Sequence, residues 1–307
     1  MHGLLVVDKP AGLTSHDVVD RARRLFRTRR IGHTGTLDPD ATGVLVLCLG
    51  RATRLAEFLA TASKHYTTEL IFGARTDTMD ASGIVVEEAS ADCLTEPLLR
   101  ALLPSFRGLI RQTPPMVSAR HHEGRRLYEL AREGVTVPRE AREIHIDELD
   151  VTAFRAGRRA HATLEITCST GTYIRVLADD LGTAAGCGAF MQCLRRTWVG
   201  ADADTAFTLA DAHTLEELDA RAADGTLAGA LAPVSDGLRA LPHYSLQPDG
   251  LRRLRHGQTI SADEIAAVGG GAKHEALAAV LDEHGEVCAM VRRDNDTLRP
   301  IKVLAPL

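Results

Sequence analysis

Residues 32–43 read GHTGTLDPDATG. The stretch sets two carboxylates, Asp38 and Asp40, beside an imidazole, His33, and several threonine hydroxyls, all among glycines. A carboxylate held still on such a loop can serve as a nucleophile or a base. Glycines let the backbone approach a ligand, and hydroxyl and N–H groups can hold phosphate. The same composition also makes an ordinary turn: Asp before Pro is a common turn former, and a loop histidine commonly bonds its neighbours. Spacing alone does not choose between Asp38 and Asp40. The stretch has no lysine after its last glycine and no G-x-G-x-x-G order, which disfavours nucleotide-triphosphate chemistry.

Other side chains that could do chemistry stand far away in sequence. Tyr66 stands near the start of the alternating run HYTTELIFG, where it suits a half-buried core position. Tyr173 and Arg175 lie in GTYIRVLADDLG, and Asp179 is the i,i+4 neighbour that Arg175 would pair with on a helix. No serine–histidine–acid set and no metal-ligand spacing stands out. Six cysteines are scattered without a C-x-x-C pair, as in a chain of reduced thiols.

These residues need elements to hold them. GLLVVDKP reads as a strand ended by Pro10, and TSHDVVDRARRLFR as a helix capped by Thr14 or Ser15. That helix and its following turn carry Arg21, Arg23, Arg24, Arg27, Arg29 and Arg30, the densest charge cluster in the chain. Such a cluster is usually a solvated face, but here it runs straight into the glycine-rich loop, which favours an anionic ligand. VLVLCLG is a buried strand, ATRLAEFLATA a helix, and RTDTMDASG a turn. Residues 92–103 read as a helix up to Pro104. Residues 111–126 are polar, basic and broken by prolines, which predicts a projecting lobe, and LYELAREG a short helix ending at Gly134. EIHIDELDVTAF and RAHATLEITCS pair across RAGRR, and TYIRVLADDLGTAAG is a helix. A boundary falls within 233–245, and strands follow at ALAAVLDEHGEVCAMVR, with a hairpin turn in its middle, and at IKVLAP.

The totals set bounds. A chain of 307 residues, 45% apolar and 25% charged, is long enough for a real core and ordinary for a globular protein. The net charge of −5 excludes a uniformly basic coat but not a local basic face. Only Lys9, Lys64, Lys273 and Lys302 are lysines among 36 basic residues. Arginine suits phosphate and base contacts, although codon bias in a GC-rich genome, which the high alanine content favours, is the simpler cause. The apolar run before Asp8 is too short for a signal segment and nothing approaches a membrane span, so a cytoplasmic location is expected.

In their order, VDKPAGLTSHDVV, RRIGHTGTLDPDATGVL, KHYTTELIFGARTDTMDASG, QTPPMVSA, GRRLYELAREGVTVPREAR, CSTGTYIRVLADDLG and CGAFMQCLRRTWVG resemble the TruB family, the bacterial transfer-RNA pseudouridine-55 synthases. The resemblance runs from about residue 3 to 200. It implies an α+β fold: a mixed, largely antiparallel sheet flanked by helices and loops (residues 1–238, with a basic lobe near 111–142), then a small β-rich PUA-like domain (239–307). It implies conversion of the T-loop uridine of transfer RNA to pseudouridine without metal, ATP or redox cofactor, and no obligatory protein partner. On this resemblance Asp38 is the catalytic carboxylate and Arg175 its arginine partner. Tyr66 stacks on the target base, Tyr173 and Leu194 line the uridine pocket, and His33 holds the flipped-out loop. Arg29, Arg30, Arg125 and Arg126 are expected on the RNA backbone. Asp40 falls at a variable position. His121 stands where the family pattern has lysine, and the neighbouring Arg120, Arg125 and Arg126 are placed to take over its contact. LRRLRHGQTI is the best fragment of the PUA-like match. Two other readings are a non-catalytic RNA chaperone and a guide-RNA-dependent subunit of the dyskerin type.

Overall fold

The computed structural model describes residues 1–116, 121–122, 125–126, 133–135, 137–269 and 277–304. Contacts group the chain into two compact units: Met1–Pro39 with Gly43–Ala62 and Trp198–Leu307, and Asp40–Thr42 with Ser63–Thr197.

In the first unit, the apolar run GLLVVDK forms β1 (Gly3–Lys9), buried along nearly its whole length. The helix Ser15–Leu25 follows. Thr14 caps it as expected, its hydroxyl accepting the Asp17 N–H while the Asp17 carboxylate accepts the Thr14 N–H. Val18, Val19 and Ala22 form its buried stripe. β2 (Ile31–His33) and β3 (Thr42–Leu49) both run antiparallel, β3 pairing with β1 from Gly3↔Leu49 to Lys9↔Gly43 and with β2 from Ile31↔Leu49 to His33↔Leu47. The chemistry-bearing loop is therefore the β2–β3 connection, hung from a strand buried on both faces. The stretch read as a helix after β3 differs. Gly50–Leu55 is a 3₁₀ helix and only Ala56–Leu59 is α-helical. Thr53 Oγ1 donates to the Gly50 carbonyl at 2.7 Å, a side-chain bond that competes with regular helix bonding.

The second unit is built on β4 (Ser63–Phe72), whose burial alternates strictly as the sequence alternates. β5 (Ala74–Thr76) and β6 (Val85–Glu88) form a small antiparallel pair across the RTDTMDASG turn. The helix read over 92–103 starts only at Glu96, where Thr95 caps it, and ends at Leu102, passing into a 3₁₀ turn at Leu103–Phe106 that takes Pro104 in its first positions. β7 (Gly108–Gln112) leads to the lobe. Between residues 117 and 132 the described part of the lobe is the backbone ladder of β8 (His121–His122) with β9 (Arg125–Arg126). The side chains of His121, Arg125 and Arg126, all of Arg120, and most of the helix expected at LYELAREG lie outside the described residues. β10 (Arg142–Arg155) and β11 (Ala160–Cys168) are the expected hairpin. The helix Ile174–Ala184 and then β12 (Ala189–Gly200) follow. Within this unit the strand order is β12-β4-β11-β10-β7. β12 escaped the sequence reading because Arg195 and Arg196 sit mid-strand. Arg196 is nevertheless almost fully buried.

The chain then returns to the first unit through β13 (Phe207–Thr208) and a helix at Leu215–Ala223. β14 (His243–Leu246), β15 (Ile260–Ser261), β16 (Ile265–Gly269), β17 (Leu277–Leu281), β18 (Val287–Asp294) and β19 (Thr297–Val303) form a sheet in the order β15-β19-β18-β17-β14-β16. Its β14–β17 pair is parallel and the rest antiparallel. Leu254, Ile260, Val280 and Leu298 make one apolar cluster there. Ala279, Val287 and Met290 join a second cluster with Leu4, Val6, Val44 and Val46. Among the described residues no helix is long and apolar enough to cross a membrane.

Candidate active site

The loop that carries Asp38 is held from below by the segment Lys9–Ser15. The Lys9 ammonium is fully buried and donates to three carbonyls, those of Pro10 (2.8 Å), Leu13 (2.6 Å) and Pro39 (2.8 Å). The Gly12 N–H donates to the same Pro39 carbonyl at 2.9 Å. On the other side of Asp38, the buried Ser15 hydroxyl donates to the Leu37 carbonyl (3.0 Å) and accepts the Leu37 N–H (2.8 Å). The residues before and after Asp38 are thus each pinned by buried side chains. Asp38 itself is half-buried, while Asp40 is exposed. At the foot of the loop Gly43 has φ +101°, a conformation that favours glycine. The sequence offered Ser15 only as a possible helix cap and gave Lys9 no role; the signal for Lys9 was a lysine at the end of a buried strand.

Replacing Lys9 by Met takes the charged donor from the carbonyls of Pro10, Leu13 and Pro39. Replacing Ser15 by Ala leaves the Leu37 N–H and carbonyl without their partner. Each change is expected to lower unfolding free energy by roughly 2–4 kcal/mol for Lys9→Met and 1–3 kcal/mol for Ser15→Ala in urea titrations. Wild-type midpoints for both would mean that the loop carries its own weight.

His33 ends β2, its backbone opposite Leu47, and is half-buried. Arg29 and Arg30 are exposed on the turn before it, as are Arg24 and Arg27. The rest of the arginine cluster is committed elsewhere. Arg21 bonds Asp219, and Arg23 pairs with Asp20 at 2.9 Å and donates to the Ile31 carbonyl at 3.1 Å. The cluster read as one basic face is therefore only partly available. The arginines of LRRLRH also have carboxylate partners: Arg252 with Asp249, Arg253 with Glu264 and Arg255 with Asp282.

In the second unit, Tyr66 lies on the buried face of β4 opposite Ile166 of β11 and is 7% exposed. Leu194 is buried on β12, whose register is marked by the Thr68 hydroxyl donating to the adjacent Cys193 carbonyl at 2.7 Å. Tyr173 is the N-cap of the Ile174–Ala184 helix, and Arg175 lies in its first turn, 5% exposed. The i,i+4 pair expected between Arg175 and Asp179 does not form. Arg75 takes Asp179 with two bonds, Nε at 2.7 Å and Nη2 at 2.8 Å. Its stem passes over Gly188, where a Cβ would come within 2.6 Å of it. Arg175 instead faces Asp80 of the RTDTMDASG turn at 3.6 Å, with the Asp80 side chain 15% exposed. The other Asp80 oxygen accepts the hydroxyls of Thr78 (2.7 Å) and Ser82 (2.6 Å) and the Ser82 N–H (3.0 Å). A carboxylate fixed so firmly in turn to a buried guanidinium orients that arginine. Asp80 was read only as turn chemistry.

Two residues before Tyr66, Lys64 is nearly fully buried, and burial, with Arg196 nearby, pushes its ammonium down to about 8 from 10.5. Opposite it in the ladder, burial pushes the Cys168 thiol up to about 11. A lysine lowered on folding costs stability while it stays protonated. That cost is full below pH about 8 and fades as pH rises toward 10.5, because the unfolded chain then holds the extra proton. The stability gap between wild type and Lys64→Met should therefore move in favour of wild type between pH about 7.5 and 9.5. A gap that does not change with pH would contradict the buried ammonium.

Residues 23–174 match the model of the TruB family pseudouridylate synthase N-terminal domain, and residues 175–239 that of the tRNA pseudouridylate synthase B C-terminal domain. The chain is 43% identical to the tRNA pseudouridine synthase B of Moorella thermoacetica over 98% of this chain and 99% of that one. It is 41% identical to that of Cupriavidus metallidurans over 99% and 94%. Among solved structures it is similar to a Cbf5-Nop10-Gar1 complex, with TM-score 0.73 and 26% identity over 99% of this chain and 85% of that one. It also resembles an H/ACA RNP bound to a substrate RNA containing 2'-deoxyuridine, with TM-score 0.74 and 23% identity over 99% and 85%.

Proposed function

We propose, from the fact that the chain belongs to the TruB family of pseudouridylate synthases, that it isomerises the T-loop uridine of transfer RNA to pseudouridine with Asp38 as the catalytic carboxylate. Isomerase activity on transfer RNA follows from the family. The choice of uridine and of carboxylate is our reading. The observation that carries it is the immobilised loop: the residues on both sides of Asp38 are clamped by Ser15 and Lys9, which a reacting carboxylate needs and a plain turn does not.

In this reading the N1–C1′ bond of the nucleotide breaks, the uracil turns over and C5 bonds to C1′. N1 gains a proton and C5 gives one up to water, so nothing is consumed. Asp38 supplies the ionised carboxylate. Tyr66 stacks on the base, which is how proteins hold splayed-out RNA bases. Tyr173 and Leu194 shape the pocket, and Arg175, oriented by Asp80, supplies the positive charge. His33 supports the flipped loop, and Arg29, Arg30, Arg125 and Arg126 contact phosphates. Residues 239–307 form the small PUA-like domain of this reading.

A T-arm stem–loop RNA carrying tritium at uracil C5 tests it. Purified protein alone, with chelator present, should release tritium to water, and a control hairpin without the T-loop should not. Tight binding without release would favour a chaperone. Release only on adding a guide RNA would favour the dyskerin-type reading. Activity lost to the chelator would remove the claim of metal-free chemistry.

A further inference from the structure

Gln112 ends β7, where the chain leaves the sheet for the basic lobe, and it is 3% exposed. Its carboxamide is spent on a single residue. Nε2 donates to the Tyr173 carbonyl at 3.0 Å, and Oε1 accepts the Tyr173 N–H at 2.7 Å. This two-point grip fixes both the position and the orientation of that backbone. Tyr173 is the N-cap of the helix that carries Arg175, and no side chain of its own caps the helix. N-caps are usually Ser, Thr, Asp or Asn, whose side chains satisfy a first-turn N–H. Tyrosine cannot do this. The Tyr173 carbonyl also receives the first helical bond, from the Leu177 N–H at 3.1 Å. Gln112 thus anchors the helix start from a distant strand, which leaves position 173 to a residue chosen for its ring. Meanwhile the Gln112 backbone pairs with Arg142 at the root of the lobe, and Arg139 donates to the Pro114 carbonyl at 3.0 Å across the same root.

We propose that Gln112 is a positioning residue for the isomerisation: it locks the pocket wall Tyr173–Arg175 to the root of the RNA-gripping lobe. The inference rests on the reading in which Tyr173 and Arg175 line the uridine pocket. A carboxamide is suited to this because it offers one donor and one acceptor side by side. Glutamate has the same shape but two acceptors when ionised. One oxygen then opposes the Tyr173 carbonyl until a proton restores the donor.

The test uses full-length Gln112→Glu and Gln112→Leu with the tritiated T-arm RNA. It reads the single-turnover rate at saturating RNA, the RNA dissociation constant and the melting midpoint. Gln112→Leu should slow the reaction about tenfold while RNA affinity stays within about threefold. Gln112→Glu should be comparably slow at pH about 8.5 and approach the wild-type rate at pH about 6, because burial keeps its carboxyl protonated to higher pH. Wild-type rates in both folded variants would overturn the proposal, as would a loss confined to RNA affinity. So would rate and folded structure falling in step. Arg175→Met run in parallel separates the levels. If it keeps the wild-type rate, the pocket reading falls and this inference with it. If it is slow while both Gln112 variants are not, only this inference falls.

Discussion

Asp38→Asn will cut tritium release from the T-arm RNA at least about a thousandfold while leaving RNA affinity within about threefold. The substitution keeps the size of the side chain and removes its negative charge, which is the property the reaction needs. The clamps around it act on backbone atoms, Ser15 on Leu37 and Lys9 on Pro39, and survive the change. Unfolding midpoints should therefore stay near wild type, and the loss can be assigned to chemistry. Asp40→Asn is the control. Asp40 is exposed, two residues on, and turnover should stay within about threefold, as for a surface change away from special features. Equal losses at the two positions would mean that the wrong aspartate has been assigned.

Arg175→Met should cost about a hundredfold in turnover and roughly 2 kcal/mol in stability. The arginine is 5% exposed and faces Asp80, so its removal leaves a half-satisfied carboxylate in a poorly solvated place. The cost stays moderate because Thr78 and Ser82 still hold the other Asp80 oxygen. Arg175→Lys keeps the charge but loses the planar fork, and about tenfold is expected. If Asp80 acts through Arg175, then Asp80→Asn combined with Arg175→Met should be no slower than Arg175→Met alone. Fully additive losses would show that Asp80 has a separate task.

Part of this was legible in the chain. The alternation of HYTTELIFG marked the strand and allowed Tyr66 a place in its core, because side chains on a strand alternate faces. The unbroken apolar run VLVLCLG announced a buried strand, which is β3. Thr14 or Ser15 ahead of the apolar stripe announced the start of the arginine-rich helix, and the structure chose Thr14. Less legible were the segments where a local bond or a buried charge overrode the pattern. The 3₁₀ turns at Gly50–Leu55 and β12 with its buried Arg196 are the two clear cases.

The sequence by itself determined the family, most of the elements and the loop that carries Asp38. Each of these rests on residue order or on the local period of burial. Only the tertiary structure decided the partners. Local spacing offered Asp179 to Arg175, but Arg75 arrived from β5 and took it with two bonds, and Arg175 turned to Asp80. Lys9 became a buried clamp, Arg21 and Arg23 were drawn away from the basic face, and Gln112 came to grip Tyr173. A charged or amide side chain settles on whichever complementary group folding brings within reach at least desolvation cost. That choice depends on how distant strands and turns pack, which no local spacing encodes.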